Sequence, residues 1–187
     1  MKHLGSSILA FATIAALLTL TQHRAQADND DSYESSERQR IEMGFRIAPV
    51  HLHYDRDDRQ MVGLGSYLVN AVGGCNDCHT NPSYVPGGDP FMGQHKLVNT
   101  AHYLAGGQQF GPFVSRNLTP ENGLPAGHTY AEFKNILRTG KDYDHAHPQI
   151  SPLLQVMPWP TFQEMSDHDI RAIYEYLRSI PPATPGP

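Results

Sequence analysis

The chain has 187 residues and a formal net charge of −5 at pH 7 with histidine neutral. That balance argues against a nucleic-acid binder, which needs clustered Lys and Arg to meet phosphate. Its two cysteines, Cys75 and Cys78, lie in one short stretch and so serve something other than a disulfide framework.

The first element is an export signal. Lys2 and His3 precede an uncharged apolar run, Ile8 to Leu20. A run of that length suits a signal h-region and falls short of the roughly 20 residues of a membrane span. Ala25-Gln26-Ala27 fits the small-x-small cleavage pattern. The expectation is a signal peptide over 1–27, cleaved after Ala27, and a periplasmic mature chain; an uncleaved N-terminal anchor is the alternative. Removing 1–27 takes away Lys2 and Arg24 and no acid, so the mature charge is −5 − 2 = −7. The 187 − 27 = 160 remaining residues suit one domain. They hold no second apolar run of membrane length, so no membrane span is expected after cleavage.

Residues 28–40, DNDDSYESSERQR, are acidic and nearly devoid of apolar side chains, which predicts a flexible lead-in. A mixed stretch at 41–58 completes an N-terminal extension that lies over the domain. The domain itself is expected over 59–187. Its first helix is predicted over 58–72: Met61, Leu64, Leu68 and Ala71 share a face, with Gly65 beside them, and Gly73-Gly74 stops it. A second is predicted over 130–139. Thr129 and Glu132 form a capping box, Tyr130, Phe133 and Leu137 share a face, and Gly140 ends it. A third is predicted over 167–179, with Ser166 as N-cap and Ile170, Ile173, Tyr174 and Leu177 in helical register. Pro181-Pro182 forbids continuation. Between the first two helices, residues 80–128 hold eight Gly and six Pro and show no sustained period. Such a loop is reasonable only where something other than side chains fills the core.

Cys75-Asn76-Asp77-Cys78-His79 supplies that filler. C-x-x-C-H is the c-type haem attachment pattern. Two thiols three positions apart reach the two vinyl groups on one porphyrin edge, and the adjacent imidazole reaches iron. A thioredoxin-like dithiol would sit beside a βαβ pattern, and none is visible. A zinc site built from Cys75, Cys78 and histidines would need four ligands, usually with a second paired motif. For the sixth position on iron the candidates are Met43, Met61, Met92, Met157 and Met165. Met61 lies on a core face, Met43 lies in the extension and Met165 forms a hydrophobic staple with Ile170; Met92 in the long loop stays open. Met157, in the stiff strap Leu154-Gln155-Val156-Met157-Pro158-Trp159-Pro160, is the preferred ligand. The His51/His53 and His145/His147 pairs are histidine alternatives.

These residues resemble a class I cytochrome c, of the bacterial mono-haem and dehydrogenase-associated kind. The likeness covers about 59–184. It is carried by Gly65-Ser66-Tyr67-Leu68 ahead of the attachment motif, by Arg116-Asn117-Leu118-Thr119-Pro120, by Met157-Pro158-Trp159, and by Arg171-Ala172-Ile173-Tyr174-Glu175-Tyr176-Leu177. The resemblance implies an all-α fold whose N- and C-terminal helices cross near Gly65 around one covalent haem c; the long irregular insertion at 80–128 and the extension at 28–58 depart from the smallest members of the family. It implies His79 and Met157 as the metal ligands. Arg116 and Trp159 are candidate haem-propionate partners, or else a surface arginine and an ordinary core aromatic. Asn117-Leu118-Thr119 also matches a glycosylation sequon. The function expected is electron transfer without catalysis, as a free carrier or a dehydrogenase cytochrome subunit. A dehydrogenase would be the donor, and a terminal oxidase or another cytochrome the acceptor. A peroxidase-like enzyme or a haem-based sensor, each with an open sixth site, is the alternative.

Overall fold

The computed structural model describes residues 33–142 and 152–187. The expected signal peptide and the His145/His147 pair therefore lie outside the described residues. The chain divides into two units, 1–39 and 40–187. Of the first, 33–39 are described and are helical. The second begins with helical residues 40–47 (α1). It continues through α2 (Arg59–Tyr67), a wide π turn (Leu68–Val72), α3 (Cys75–His79), α4 (Tyr130–Thr139), α5 (Trp159–Phe162) and α6 (Asp167–Ser179). Two small antiparallel hairpins interrupt this helical order: β1 (Gln109–Phe110) with β2 (Phe113–Val114), and β3 (Pro120–Glu121) with β4 (Leu124–Pro125). The fold is mostly helical. Among the described residues no helix is long and apolar enough to cross a membrane.

The three predicted helices form where their caps and periodicity require. Thr129 and Glu132 exchange the two bonds of a capping box, and Gly140 ends α4 in the left-handed region at φ 68°. The Ser166 hydroxyl caps α6 by accepting from the Asp169 N–H at 3.0 Å. Ile170, Ile173, Tyr174 and Leu177 are buried, as their spacing predicts. The first helix differs at its end. After Tyr67 it widens to i→i+5 bonding, with the Gly73 N–H reaching the Leu68 carbonyl at 2.7 Å. That change of phase takes Ala71 off the buried face that Leu64 and Leu68 share and leaves it exposed.

Helix α2 packs directly on α6. A Cβ at Gly65 would overlap the Ala172 carbonyl oxygen and lie 2.7 Å from Tyr176 Cβ, so only glycine permits the approach. Val62, Leu64, Leu68 and Val69 from the first helical stretch meet Ile170, Ala172, Ile173, Tyr176 and Leu177 in one buried cluster. Ile41 of α1 joins it, and the Ser66 hydroxyl ties α1 to α2 by donating to the Gly44 carbonyl at 2.7 Å. The irregular region contributes Tyr103 and Leu104 to the same cluster. Its backbone is held by short pairings, among them a parallel bridge between Thr80 and Gly106.

The Gly65 approach sets a test. Gly65→Ala is expected to lower stability by about 3 kcal/mol, the upper range for forcing extra volume into a packed contact. Gly93→Ala, at φ 74° with nothing within 4 Å, is expected to lose only about 1 kcal/mol. Urea unfolding followed by circular dichroism separates the two.

Candidate functional site

The attachment motif folds as one short helix, α3. Gly74 starts it in the left-handed region at φ 59°, which turns the chain sharply out of the preceding π turn. One turn of helix then carries Cys75, Cys78 and His79. The helix is anchored on the side of Asn76 and Asp77: the buried Asn76 amide donates to the Ser83 carbonyl at 3.2 Å, and the Tyr84 hydroxyl donates to Asp77 at 2.5 Å. Cys75 is half-buried, Cys78 is exposed, and both are free thiols.

Neither thiol has the environment of a reactive thiolate. Burial pushes the Cys75 thiol up to about 12. Burial, then the Asp77 charge, raises Cys78 as well. A redox dithiol needs the opposite shift, so the thioredoxin-like alternative lacks support. Among the described residues, no three or more His, Cys, Asp or Glu side chains group as a metal would require, so the zinc alternative has no ligand set there.

His79 is held by its ring. Nδ1 lies 2.8 Å from the Arg116 carbonyl oxygen, which can only accept, so Nδ1 carries the proton and Nε2 is left with its lone pair. Three strips of chain build this contact. The Gly106 N–H donates to the His79 carbonyl at 2.6 Å, and the Leu104 N–H donates to the Thr80 hydroxyl at 2.9 Å. The strip 104–107 is in turn bound to 115–118, through Gly107 N–H to Ser115 and Leu118 N–H to Leu104. Gly106 sits at φ 74°, and a Cβ there would lie 2.5 Å from the Arg116 carbonyl carbon. The insertion thus contains the scaffold that orients the histidine.

Met157 is half-buried and packs against the main buried cluster, as Cys75 does. Its strap is tied to the chain that follows α4: Leu153 bridges Lys141, and the Leu154 N–H donates to the Gly140 carbonyl at 2.8 Å. Phe162, at the end of α5, comes close to the attachment helix. A Cβ at Gly73 would lie 3.2 Å from Cys75 Sγ and 3.9 Å from the Phe162 ring. The other methionines differ. Met61 and Met165 pack on the core, whereas Met92 is 74% exposed and Met43 is exposed beside Arg46. The His51 and His53 rings lie 4.8 Å apart, tilted at 53°, on the surface.

Two features were missed by residue-type reasoning. Arg116 turns its guanidinium to Asp142 at 3.1 Å and to the Ala126 carbonyl; its own carbonyl serves the site. Main-chain acceptors carry no sequence signal. The second is a closed ring of hydrogen bonds. Tyr103 donates to Asn70 Oδ1 at 2.6 Å, Asn70 Nδ2 donates to the Tyr176 hydroxyl at 3.1 Å, and the two hydroxyls meet at 2.9 Å. Burial raises both phenols. The π turn is what turns Asn70 into it. Trp159 lies over Gly140, where its ring fills the space a Cβ would occupy.

The donor set fits a c-type haem: two free thiols on one helical turn and a neighbouring imidazole whose ring nitrogens are already differentiated. No protein-family model and no solved structure matches the chain. Curated proteins do. The gluconate 2-dehydrogenase cytochrome c subunit of Pantoea cypripedii is 31% identical over 126 residues, covering 66% of this chain and 24% of that protein. The quinone alcohol dehydrogenase cytochrome c subunit of Gluconobacter oxydans is 33% identical over 129 residues, 67% of this chain and 25% of that one. The fructose dehydrogenase cytochrome subunit of Gluconobacter japonicus is 30% identical over 133 residues, 70% and 23%. The chain is a relative of dehydrogenase-associated cytochromes c. It spans about a quarter of the length of these cytochrome subunits.

Before any haem is attached, His79 should make the fold acid-sensitive. Burial holds its ring below the ordinary 6.5, against the opposing pull of the Arg116 carbonyl. The unfolded chain therefore binds this proton at higher pH than the folded one. Stability from this group is complete above the unfolded value and declines as pH falls below it towards the folded value. Urea midpoints of the haem-free chain should fall more between neutral and acidic pH for the wild type than for His79→Gln.

Proposed function

We propose that this chain is a periplasmic electron carrier holding a single covalent haem c. Cys75 and Cys78 would hold it through thioether links, and His79 and Met157 would ligate its iron. The carrying observation is the His79 Nδ1–Arg116 carbonyl bond on a helical turn that also presents two free thiols. An imidazole so fixed offers Nε2 to a metal without choosing between tautomers, and the bond raises its basicity. The α2–α6 contact at Gly65 supports the crossing of N- and C-terminal helices expected of class I cytochromes c. The domain is taken as 59–187, with a signal peptide over 1–27 and an extension over 28–58.

The haem supplies one-electron chemistry when bound, its iron cycling between ferrous and ferric. The chain's residues do the rest. Cys75 and Cys78 keep the cofactor from being lost outside the cell. His79 and Met157 hold the coordination number constant, so no substrate site opens and no bond is made. The thioether favours the reduced state and raises the potential relative to a second histidine. The apolar side chains around Cys75 lower the local dielectric. The donor is a dehydrogenase, in keeping with relatives named as dehydrogenase cytochrome subunits. The acceptor is a terminal oxidase or another cytochrome.

Visible spectra of the matured protein and of Met157→Ala test this. The wild type should be low-spin, with the weak far-red band of Met-to-ferric-iron ligation, and the variant should lose that band. A high-spin wild type, or ready carbon monoxide binding when reduced, would move a peroxidase-like enzyme or a gas sensor ahead. Absence of covalent haem would sink the assignment.

A further inference from the structure

The Asn117-Leu118-Thr119 triplet reads as a sequon, but its polar atoms are engaged internally. Asn117 Oδ1 accepts from the Thr119 N–H and hydroxyl, both at 2.8 Å. Asn117 Nδ2 donates to the Ala183 carbonyl at 2.8 Å. The Thr119 hydroxyl, whose one hydrogen is committed to Asn117, accepts from the Ala183 N–H at 3.1 Å. Two side chains thus grip both backbone groups of one residue in the extended segment beyond α6. Thr119 is buried. The next residues continue the contact. His102 Nδ1 lies 2.8 Å from the Thr184 carbonyl, and a Cβ at Gly107 would lie 2.9 Å from Pro185 Cβ.

The placement matters because Asn117 adjoins Arg116. The segment 183–185 lies on the same strips, 104–107 and 115–118, that carry the acceptor for His79. We infer that Asn117, with Thr119, is a positioning residue: it clamps the 183–185 segment onto the strip and so fixes the Arg116 carbonyl against the His79 ring. The inference rests on His79 being the iron ligand proposed above. A firm Nδ1–H···O=C bond makes the imidazole a stronger donor, which favours ferric over ferrous iron and lowers the potential. Loosening the clamp should raise it.

The test compares haem-loaded wild type with Asn117→Ala, Thr119→Val, a chain lacking residues 183–187, and the Asn117→Ala deletion double. Leu137→Ala, a core variant in α4, controls for lost stability. Three quantities are read: midpoint potential, exchange rate of the axial-histidine Nδ1 proton in the reduced state, and thermal unfolding. The clamp predicts a higher potential and faster exchange in each single variant, and a double no further shifted than the deletion alone, because the deletion already removes the segment that Asn117 grips. Leu137→Ala should lower stability without moving either other readout. Variants of Asn117 and Thr119 that unfold earlier but keep wild-type potential and exchange would overturn the inference. Should Asn117→Ala not fold, Thr119→Val decides on the same criteria. If the wild type takes up no haem, ligation by His79 fails separately, and ¹⁵N shifts of the His79 ring in the haem-free chain decide the clamp. An Nδ1-protonated ring in wild type that becomes a tautomer mixture in Asn117→Ala upholds it, and an unchanged ring refutes it.

Discussion

The hydrogen bond between His79 Nδ1 and the Arg116 carbonyl requires two segments far apart in sequence to meet at 2.8 Å. Much of the irregular chain follows from that requirement. The attachment helix must end where the parallel bridge between Thr80 and Gly106 begins. The strip 104–107 must be thin enough to pass under Arg116, which is why Gly106 carries no Cβ. The strip 115–118 must then present a carbonyl rather than an N–H. Short backbone pairings between these strips, and two small hairpins, hold the insertion without an extended sheet.

The helical frame solves a different problem. Glycine at position 65 lets α2 and α6 approach to backbone contact, and the apolar faces of both close into one cluster. Leu104, Tyr103 and Ile41 extend that cluster from outside the helix pair. The π turn at the end of α2 then brings Asn70 between the Tyr103 and Tyr176 hydroxyls. In that ring every donor has an acceptor, so two buried phenols and the half-buried Asn70 sit beside the core without an unsatisfied group. It also joins three separate stretches of chain.

How much was legible depended on the kind of signal. Helices α4 and α6 were readable because capping and periodicity are local: Thr129 with Glu132, and Ser166 ahead of Ile170, need nothing from elsewhere. The thiols and His79 were readable because haem attachment constrains adjacent residues. Ala71 leaves the predicted face because the helix widens after Tyr67, a change of phase that no local pattern reports. Arg116 draws attention in the sequence through its guanidinium, which the structure pairs with Asp142, while its carbonyl meets the His79 ring. A sequence displays side-chain chemistry and is silent about which carbonyl faces a ring.

By itself, then, the sequence determined the three main helices and the spacing of two thiols and a histidine. These depend on neighbours within about one or two helical turns, where spacing equals geometry. Tertiary structure alone decided which nitrogen of His79 holds its proton, how residues 80–128 become a scaffold, and that Asn117 grips Ala183. Those outcomes join residues that are dozens of positions apart through backbone atoms common to every amino acid. No residue type marks them in advance.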